Sequence, residues 1–146
     1  MPEYEVVAVV VEVVEVELSR VAKGRNFELE IVELLKRLGF EVIHNDGGID
    51  IRARIRGIDF VFQCKDWERP TVVRELDGAL TQPENSGAIG VVVIPDNSRF
   101  SLKTIERAIT SVFPIILTDK AHLPTYILNT ILDRLQGDPF IFRFLY

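Results

Sequence analysis

The chain has 146 residues, of which 47% are hydrophobic and 27% charged, and it carries a formal net charge of −5. This balance fits one globular domain with a sizeable core and excludes an intrinsically disordered chain. It also argues against a protein that coats nucleic acid non-specifically.

No stretch approaches the roughly 18 consecutive apolar residues of a membrane span. No basic region followed by an apolar one opens the chain, so no secretory leader is expected. The single cysteine excludes an internal disulfide and fits a reducing, cytoplasmic setting. The expected organisation is one domain over residues 1–146, with its core at 20–130, an N-terminal extension at 1–18 and an aromatic tail at 138–146.

The extension is Val-rich: eight valines fall within residues 6–16, broken by Glu12 and Glu15. β-Branching favours a strand there, although Glu5, Glu12 and Glu15 would also gather on one side of a helix. A Val-rich strand needs a partner, across a dimer for example. A helix is predicted at about 24–38, where Phe27, Ile31, Leu34, Leu35 and Leu38 keep three-four spacing and Gly39 stops it. Glu30, Glu33, Lys36 and Arg37 fall on its polar face. Glu28 does not join them; it borders the apolar stripe beside Val32 and Leu35, where a carboxylate is costly unless it is paired or bound to a cation.

A strand at 40–44, a Gly-rich turn and two alternating strands follow. Ile51–Arg56 alternates apolar or small residues with Arg52, Arg54 and Arg56 on one face. In Asp59–Lys65, period-two geometry puts Phe60, Phe62 and Cys64 on one side and Val61, Gln63 and Lys65 on the other. Gly57 and its neighbours turn the chain between them, so Asp50 and Lys65 lie at the open end of a hairpin. Thr71 is the expected cap of a helix over 72–80 with Val72, Leu76 and Leu80 on one side. Ala88–Ile94 reads as a buried strand. Residues 101–112 read as a helix with a stripe of Leu102, Ile105, Ala108, Ile109 and Val112. Pro114–Leu117 is a short strand, and Pro124 suits the first turn of a helix that Gly137 ends. Phe140–Tyr146 carries four aromatics and is either a last strand or an interface. The order α, three strands, then α, β, α, β, α defines an α/β domain with a mixed central sheet.

The chemistry concentrates in Gly47-Gly48-Ile49-Asp50 and Gln63-Cys64-Lys65. A carboxylate at the start of one strand, with an amide oxygen and an ammonium on one face of the next, can hold a divalent cation and a water beside a phosphodiester. Glu28 can point at the same cation if the strands pack on its helix. Arg52, Arg54, Lys23, Arg25 and Arg74 are candidate phosphate contacts, against the alternative of a solvated, ion-paired face. Trp67 can stack on a base or pack on the sheet edge. His44 and His122 stand far apart with no Cys/His cluster, which does not suit zinc. Cys64 is expected to be a small buried hydrophobe. Asp46 suits a turn, Asp66 and Glu68 an exposed segment, and Gln82 the helix after the motif.

These residues resemble the PD-(D/E)xK nuclease superfamily, in particular the Mrr-type restriction endonuclease catalytic domain. The resemblance rests on Phe27-Glu28 with Leu38-Gly39-Phe40, on Asn45–Asp50, and on Gln63–Trp67. It continues through Val73–Leu76 with Gly78–Leu80, Gly87-Ala88 with Val91–Val93, and Ile116–Asp119, covering about residues 20–130. Lys23-Gly24 ahead of Glu28 is also similar to the start of archaeal Holliday-junction resolvases. Gln63 replaces the usual acidic residue, as in the Mrr-type variant.

The resemblance implies a restriction-endonuclease-like fold and a Mg²⁺-dependent DNA endonuclease, with Mn²⁺ as a substitute; a homodimer is the expected working form, because so small a domain cuts two strands best with two sites. It implies Asp50, Gln63 and the Cys64 main-chain carbonyl as metal ligands, Glu28 acting through a water, and Lys65 orienting the attacking water. Without the separate DNA-recognition domain usual for Mrr-type enzymes, a structure-selective or accessory nuclease is favoured over restriction. The alternative is a non-catalytic module that keeps the fold to bind DNA or dimerise.

Overall fold

The computed structural model describes residues 26–45, 51–65, 71–140 and 142–144. The Val-rich extension, Lys23, Arg25, residues 46–50, where the Gly-rich turn is predicted, and residues 66–70, which include Trp67, lie outside them.

Helix α1 covers residues 26–37. It buries Phe27, Ile31, Val32 and Leu35 and leaves Glu30, Glu33, Lys36 and Arg37 exposed, as three-four spacing requires. Gly39 takes a φ of 98°. The Phe40 N–H donates to the Leu35 carbonyl at 3.0 Å and the Gly39 N–H to that of Lys36 at 3.1 Å. This pair of bonds is a Schellman cap, in which a glycine in left-handed conformation satisfies the last helical carbonyls.

Strands β1 (Glu41–Asn45), β2 (Ile51–Ile55) and β3 (Ile58–Cys64) form an antiparallel meander. Ile55 pairs with Ile58, leaving a two-residue loop of Arg56 and Gly57. Both have positive φ, 52° and 76°, as a type I′ turn demands. Arg56 is therefore a turn residue and does not share the strand face of Arg52 and Arg54 that its alternation predicts.

Helix α2 (Val72–Leu80) leads through a short 3₁₀ turn (Pro83–Asn85) to β4 (Ile89–Ile94). Helix α3 (Leu102–Ile109), β5 (Ile115–Asp119), α4 (Leu123–Leu135) and β6 (Arg143–Phe144) complete the order. The six strands among the described residues run β1 to β6 across one sheet, with β3, β4, β5 and β6 mutually parallel. The fold is α/β with a mixed central sheet, consistent with a restriction-endonuclease-like domain. Of the two readings of the aromatic tail, residues 143–144 take the strand form, beside β5.

Both faces of the sheet are covered. On one, α1 and α4 bring Ile31, Leu35, Leu123 and Ile127 onto Phe60, Phe62, Val91, Val93 and Ile116. On the other, α2 and α3 bring Val72, Leu76, Ile105 and Ala108 onto Val61, Val92, Ile94, Ile115 and Leu117. Helix α2 sits close on β4 because Gly90 has no side chain. A Cβ there would lie 2.8 Å from Leu76 Cδ2 and 2.9 Å from Leu80 Cδ1.

Several predicted boundaries shift for local reasons. Ser101 caps α3, its Oγ accepting the Thr104 N–H at 3.2 Å, and the helix ends at Ile109. Its buried positions are Thr104, Ile105 and Ala108, while Leu102, Ile109 and Val112 are 62%, 55% and 91% exposed. The predicted five-residue stripe is thus only partly the packed face. Thr71 precedes α2 but makes no side-chain cap bond; its hydroxyl lies 3.4 Å from Glu75 Oε1. Strand β5 runs on through Thr118 and Asp119. Gln82 lies beyond α2, at the start of the 3₁₀ turn, rather than inside the helix.

Candidate functional site

Strand β3 is the spine of the site. Its register with β4 pairs Gln63 with Val92 and Cys64 with Val93. Val92 belongs to the layer under α2 and α3, and Val93 to the layer under α1 and α4. Gln63 therefore points toward the α2 layer and Cys64 toward α1. Gln63 is fully buried, so the face predicted to oppose the core is itself inside the protein. Immediately after β3, the Lys65 N–H donates to the Val93 carbonyl at 3.0 Å and continues the strand pairing by one residue.

Period two returns the Lys65 side chain to the Gln63 side. Its side chain is only 11% exposed, and Nζ lies 3.5 Å from Glu75 Oε2 of α2. A largely buried ammonium needs such a counter-charge, because desolvation without one is costly.

Glu28 arrives from the opposite layer. Strand β1 is antiparallel to β2, and β2 to β3, so β1 and β3 run the same way. Helix α1 turns back into β1 through its tight cap, which sets the α1 N-terminus at the C-terminal end of β3. Glu28, on the first turn of α1, is half-buried. The Cys64 thiol registers the outcome. Burial pushes its pKa up, the Glu28 carboxylate pushes it further up, and Lys65 partly offsets this. One anionic and one cationic side chain, from separate elements, thus converge on the end of β3.

Arg52 pairs with Val61, and Arg54 with Asp59, on the α2 side of the hairpin. The Arg52 Nε is buried without a hydrogen-bond partner among the described residues. Arg54 is held by Asp59, Nε to Oδ1 at 2.7 Å. Arg74 is exposed on α2. Asp50, Lys23, Arg25 and Trp67 fall outside the described residues. Of the two histidines, His122 is committed elsewhere. Its Nδ1 lies 2.6 Å from Asp119 Oδ1, and the same oxygen accepts the His122 backbone N–H at 2.9 Å. Among the described residues no group of three or more His, Cys, Asp or Glu side chains could hold a metal ion.

Glu75 is the participant that reading the residue pattern missed. The signal was present: Val72, Val73, Leu76 and Leu80 are the buried positions of α2, and Glu75 borders that stripe just as Glu28 borders the stripe of α1.

An α/β domain with a mixed sheet and a Gln-x-Lys strand end facing a helix glutamate has the form of a nuclease domain. The model of the Mrr-type catalytic domain, described as a restriction endonuclease, matches the chain over residues 19–127. The protein belongs to this family, and with it to the nuclease-type domains of the PD-(D/E)xK class, a class whose members generally use divalent metals and act on DNA. Searches of curated proteins and of solved structures find no match. Among the described residues no helix is long and apolar enough to cross a membrane.

Proposed function

We propose that the protein is a Mg²⁺-dependent DNA endonuclease that hydrolyses phosphodiester bonds, with Mn²⁺ able to replace Mg²⁺. One observation carries this reading: Gln63 and Lys65 share one side of the end of β3, and the Glu28 charge reaches that same strand end. Asp50 is covalently joined to Ile51, whose partner across the hairpin is Phe62. A single Cα–Cα step of about 3.8 Å therefore separates it from a residue paired next to Gln63.

The donor set fits the metal. Asp50, the Gln63 amide and the Cys64 carbonyl are hard oxygen donors, and Glu28 would contribute through a water, which suits a cation that keeps part of its hydration. When bound, the ion supplies Lewis-acid polarisation of the phosphate. An amide in place of a carboxylate removes one negative charge, so the affinity for the ion is expected to be lower than where an acid occupies that position.

The protein's own groups do the rest. Lys65 orients the attacking water and offsets the charge that builds on the phosphate oxygens. The surroundings of β3 exclude bulk solvent, which strengthens that attraction. Arg52, on the same side of the hairpin with its Nε buried, supports a phosphate contact. Lys23, Arg25, Arg54, Trp67 and Arg74 belong to the same proposed DNA surface. Expected products are a 5′-phosphate and a 3′-hydroxyl. A homodimer suits so small a domain, because two sites can cut two strands, and branched DNA such as a four-way junction is the favoured substrate.

The test is cleavage of a fluorescent four-way junction and a linear duplex with Mg²⁺, Mn²⁺ or EDTA. Metal-dependent cutting is expected, falling by on the order of 10²–10³-fold or more in Asp50→Ala and in Lys65→Ala. Unchanged activity in either variant rejects the site. Binding without cutting under every metal would favour a non-catalytic module that keeps the fold.

A further inference from the structure

We propose that Glu75 is a positioning residue of this active site, holding the Lys65 ammonium where the scissile phosphate must arrive. The inference rests on the nuclease reading of Lys65 and extends the site to a helix outside the Asp-Gln-Lys pattern.

Four observations point the same way. First, the Lys65 side chain is 11% exposed and its Nζ faces the Glu75 carboxylate at 3.5 Å. A lysine stem has four rotatable carbons and high rotamer entropy, so an ammonium with no counter-charge in this setting would swing toward water. Second, 3.5 Å is longer than the 2.7–2.9 Å of a tight charge-assisted hydrogen bond. The carboxylate therefore acts as an electrostatic tether and, among the described residues, makes no tight hydrogen bond that would keep the ammonium N–H donors from a phosphate oxygen and a water.

Third, Glu75 is itself held. The Thr71 hydroxyl lies 3.4 Å from its other oxygen, and α2 is seated on β4 at Gly90, where Leu76 and Leu80 occupy the space of the missing Cβ. The helix carrying the carboxylate cannot be lifted without unpacking two buried leucines. Fourth, the neighbour of Lys65 on the same strand face is the neutral Gln63. An acidic residue there would have faced the ammonium from its own strand. Glu75 provides that charge from the adjoining helix.

Two measurements separate this role from a structural one. In Glu75→Gln, which keeps size and removes charge, the single-turnover cleavage constant at saturating DNA is expected to fall about tenfold. The Kd for uncut DNA measured with Ca²⁺ should change less than about threefold. Glu75→Asp, which restores a carboxylate, should recover part of the lost rate. A Glu75→Gln rate within twofold of wild type, alongside an inactive Asp50→Ala, overturns the Glu75 role and leaves the nuclease reading standing.

The second measurement needs neither metal nor DNA. In the metal-free protein, the NMR order parameter of the Lys65 Cε methylene should be that of a fixed side chain, and should drop to that of a mobile one in Glu75→Gln but not in Glu75→Asp. Equal order in wild type and Glu75→Gln overturns the inference even if the protein proves not to cut. Loss of order in Glu75→Gln together with an active Asp50→Ala supports the tether while rejecting the proposed metal site.

Discussion

Cys64 shows how much a single position can report. It stands between Gln63 and Lys65 in sequence but points into the α1 layer, as alternation predicts. Burial, and secondarily Glu28, raises its pKa from an ordinary value of 9.0, so the neutral thiol persists in the folded protein to higher pH than in the unfolded chain. The stability this gives is fully present below pH 9.0 and is lost as pH rises further, because only the unfolded chain then gains by ionising. Denaturant unfolding between about pH 8 and 10.5 should show stability declining above pH 9 with a slope of up to about 1.4 kcal/mol per pH unit from this one group. Cys64→Ala should remove that part of the slope. An identical slope in the variant would mean that Cys64 is ionised as readily in the folded protein as in the unfolded one.

The residues of the site were unevenly legible. Gln63 and Lys65 could be placed together because period two needs only strand identity. Glu28 stood out because a carboxylate bordering an apolar stripe violates the helical pattern. Glu75 violates the same pattern in α2, yet its meaning depends on which strand α2 covers, and that is a long-range fact. Arg54 reads identically to Arg52 in sequence; only the hairpin register gives one of them Asp59 as a partner.

Elements with strong local rules were the most readable. The apolar run of β4 is buried at every position, and the glycine after α1 ends the helix by the expected cap. Where rules competed, the prediction slipped. The stripe in α3 was drawn too wide because three-four spacing counts apolar residues without knowing how broad the contact is. The strand nature of residues 143–144 could not be chosen from four aromatics alone, since an interface would have the same composition.

The seat of α2 on β4 provides a test at this scale. Gly90→Ala must push Cβ into Leu76 and Leu80, both buried in an already filled layer. Overpacking of this kind costs about 1–3 kcal/mol, so chemical denaturation should give a lower midpoint at unchanged m-value. Gly78→Ala, in α2 itself and with nothing within 4 Å of the added Cβ, should be neutral or slightly stabilising, since alanine is the better helix former by roughly 1 kcal/mol. Equal effects from the two substitutions would show that α2 does not depend on close approach at Gly90.

At the scale of the whole molecule, the parallel strands β3, β4 and β5 all end on the side where α1 begins. Ligands of open α/β sheets bind outside the carboxyl ends of the strands. Here that edge carries Lys65 after β3, the pair formed by Asp119 at the end of β5 and His122 beyond it, and the first turn of α1. Lys120, also after β5, is paired with Glu30 of α1 at 3.1 Å. The edge is mixed in charge, in keeping with a net charge of −5, so DNA would be held by local contacts rather than by a general basic surface. The mixed sheet could be inferred from element order alone, because three consecutive short strands favour a meander and strand–helix–strand units favour parallel crossovers. The packing of α1 and α2 on opposite faces could not, and that arrangement is what lets Glu28 and Glu75 approach one strand end from two sides.

The most direct measurement is a crystal structure of the protein with Mn²⁺ and uncut DNA, with the ion located by anomalous scattering. The expected result is an ion within about 2.0–2.3 Å of an Asp50 carboxylate oxygen and the Gln63 amide oxygen, a water between it and Glu28, and Lys65 Nζ within hydrogen-bond distance of the scissile phosphate. An ion bound elsewhere, or an Asp50 carboxylate too far from Gln63 to share one hydrated cation, would contradict the proposed centre.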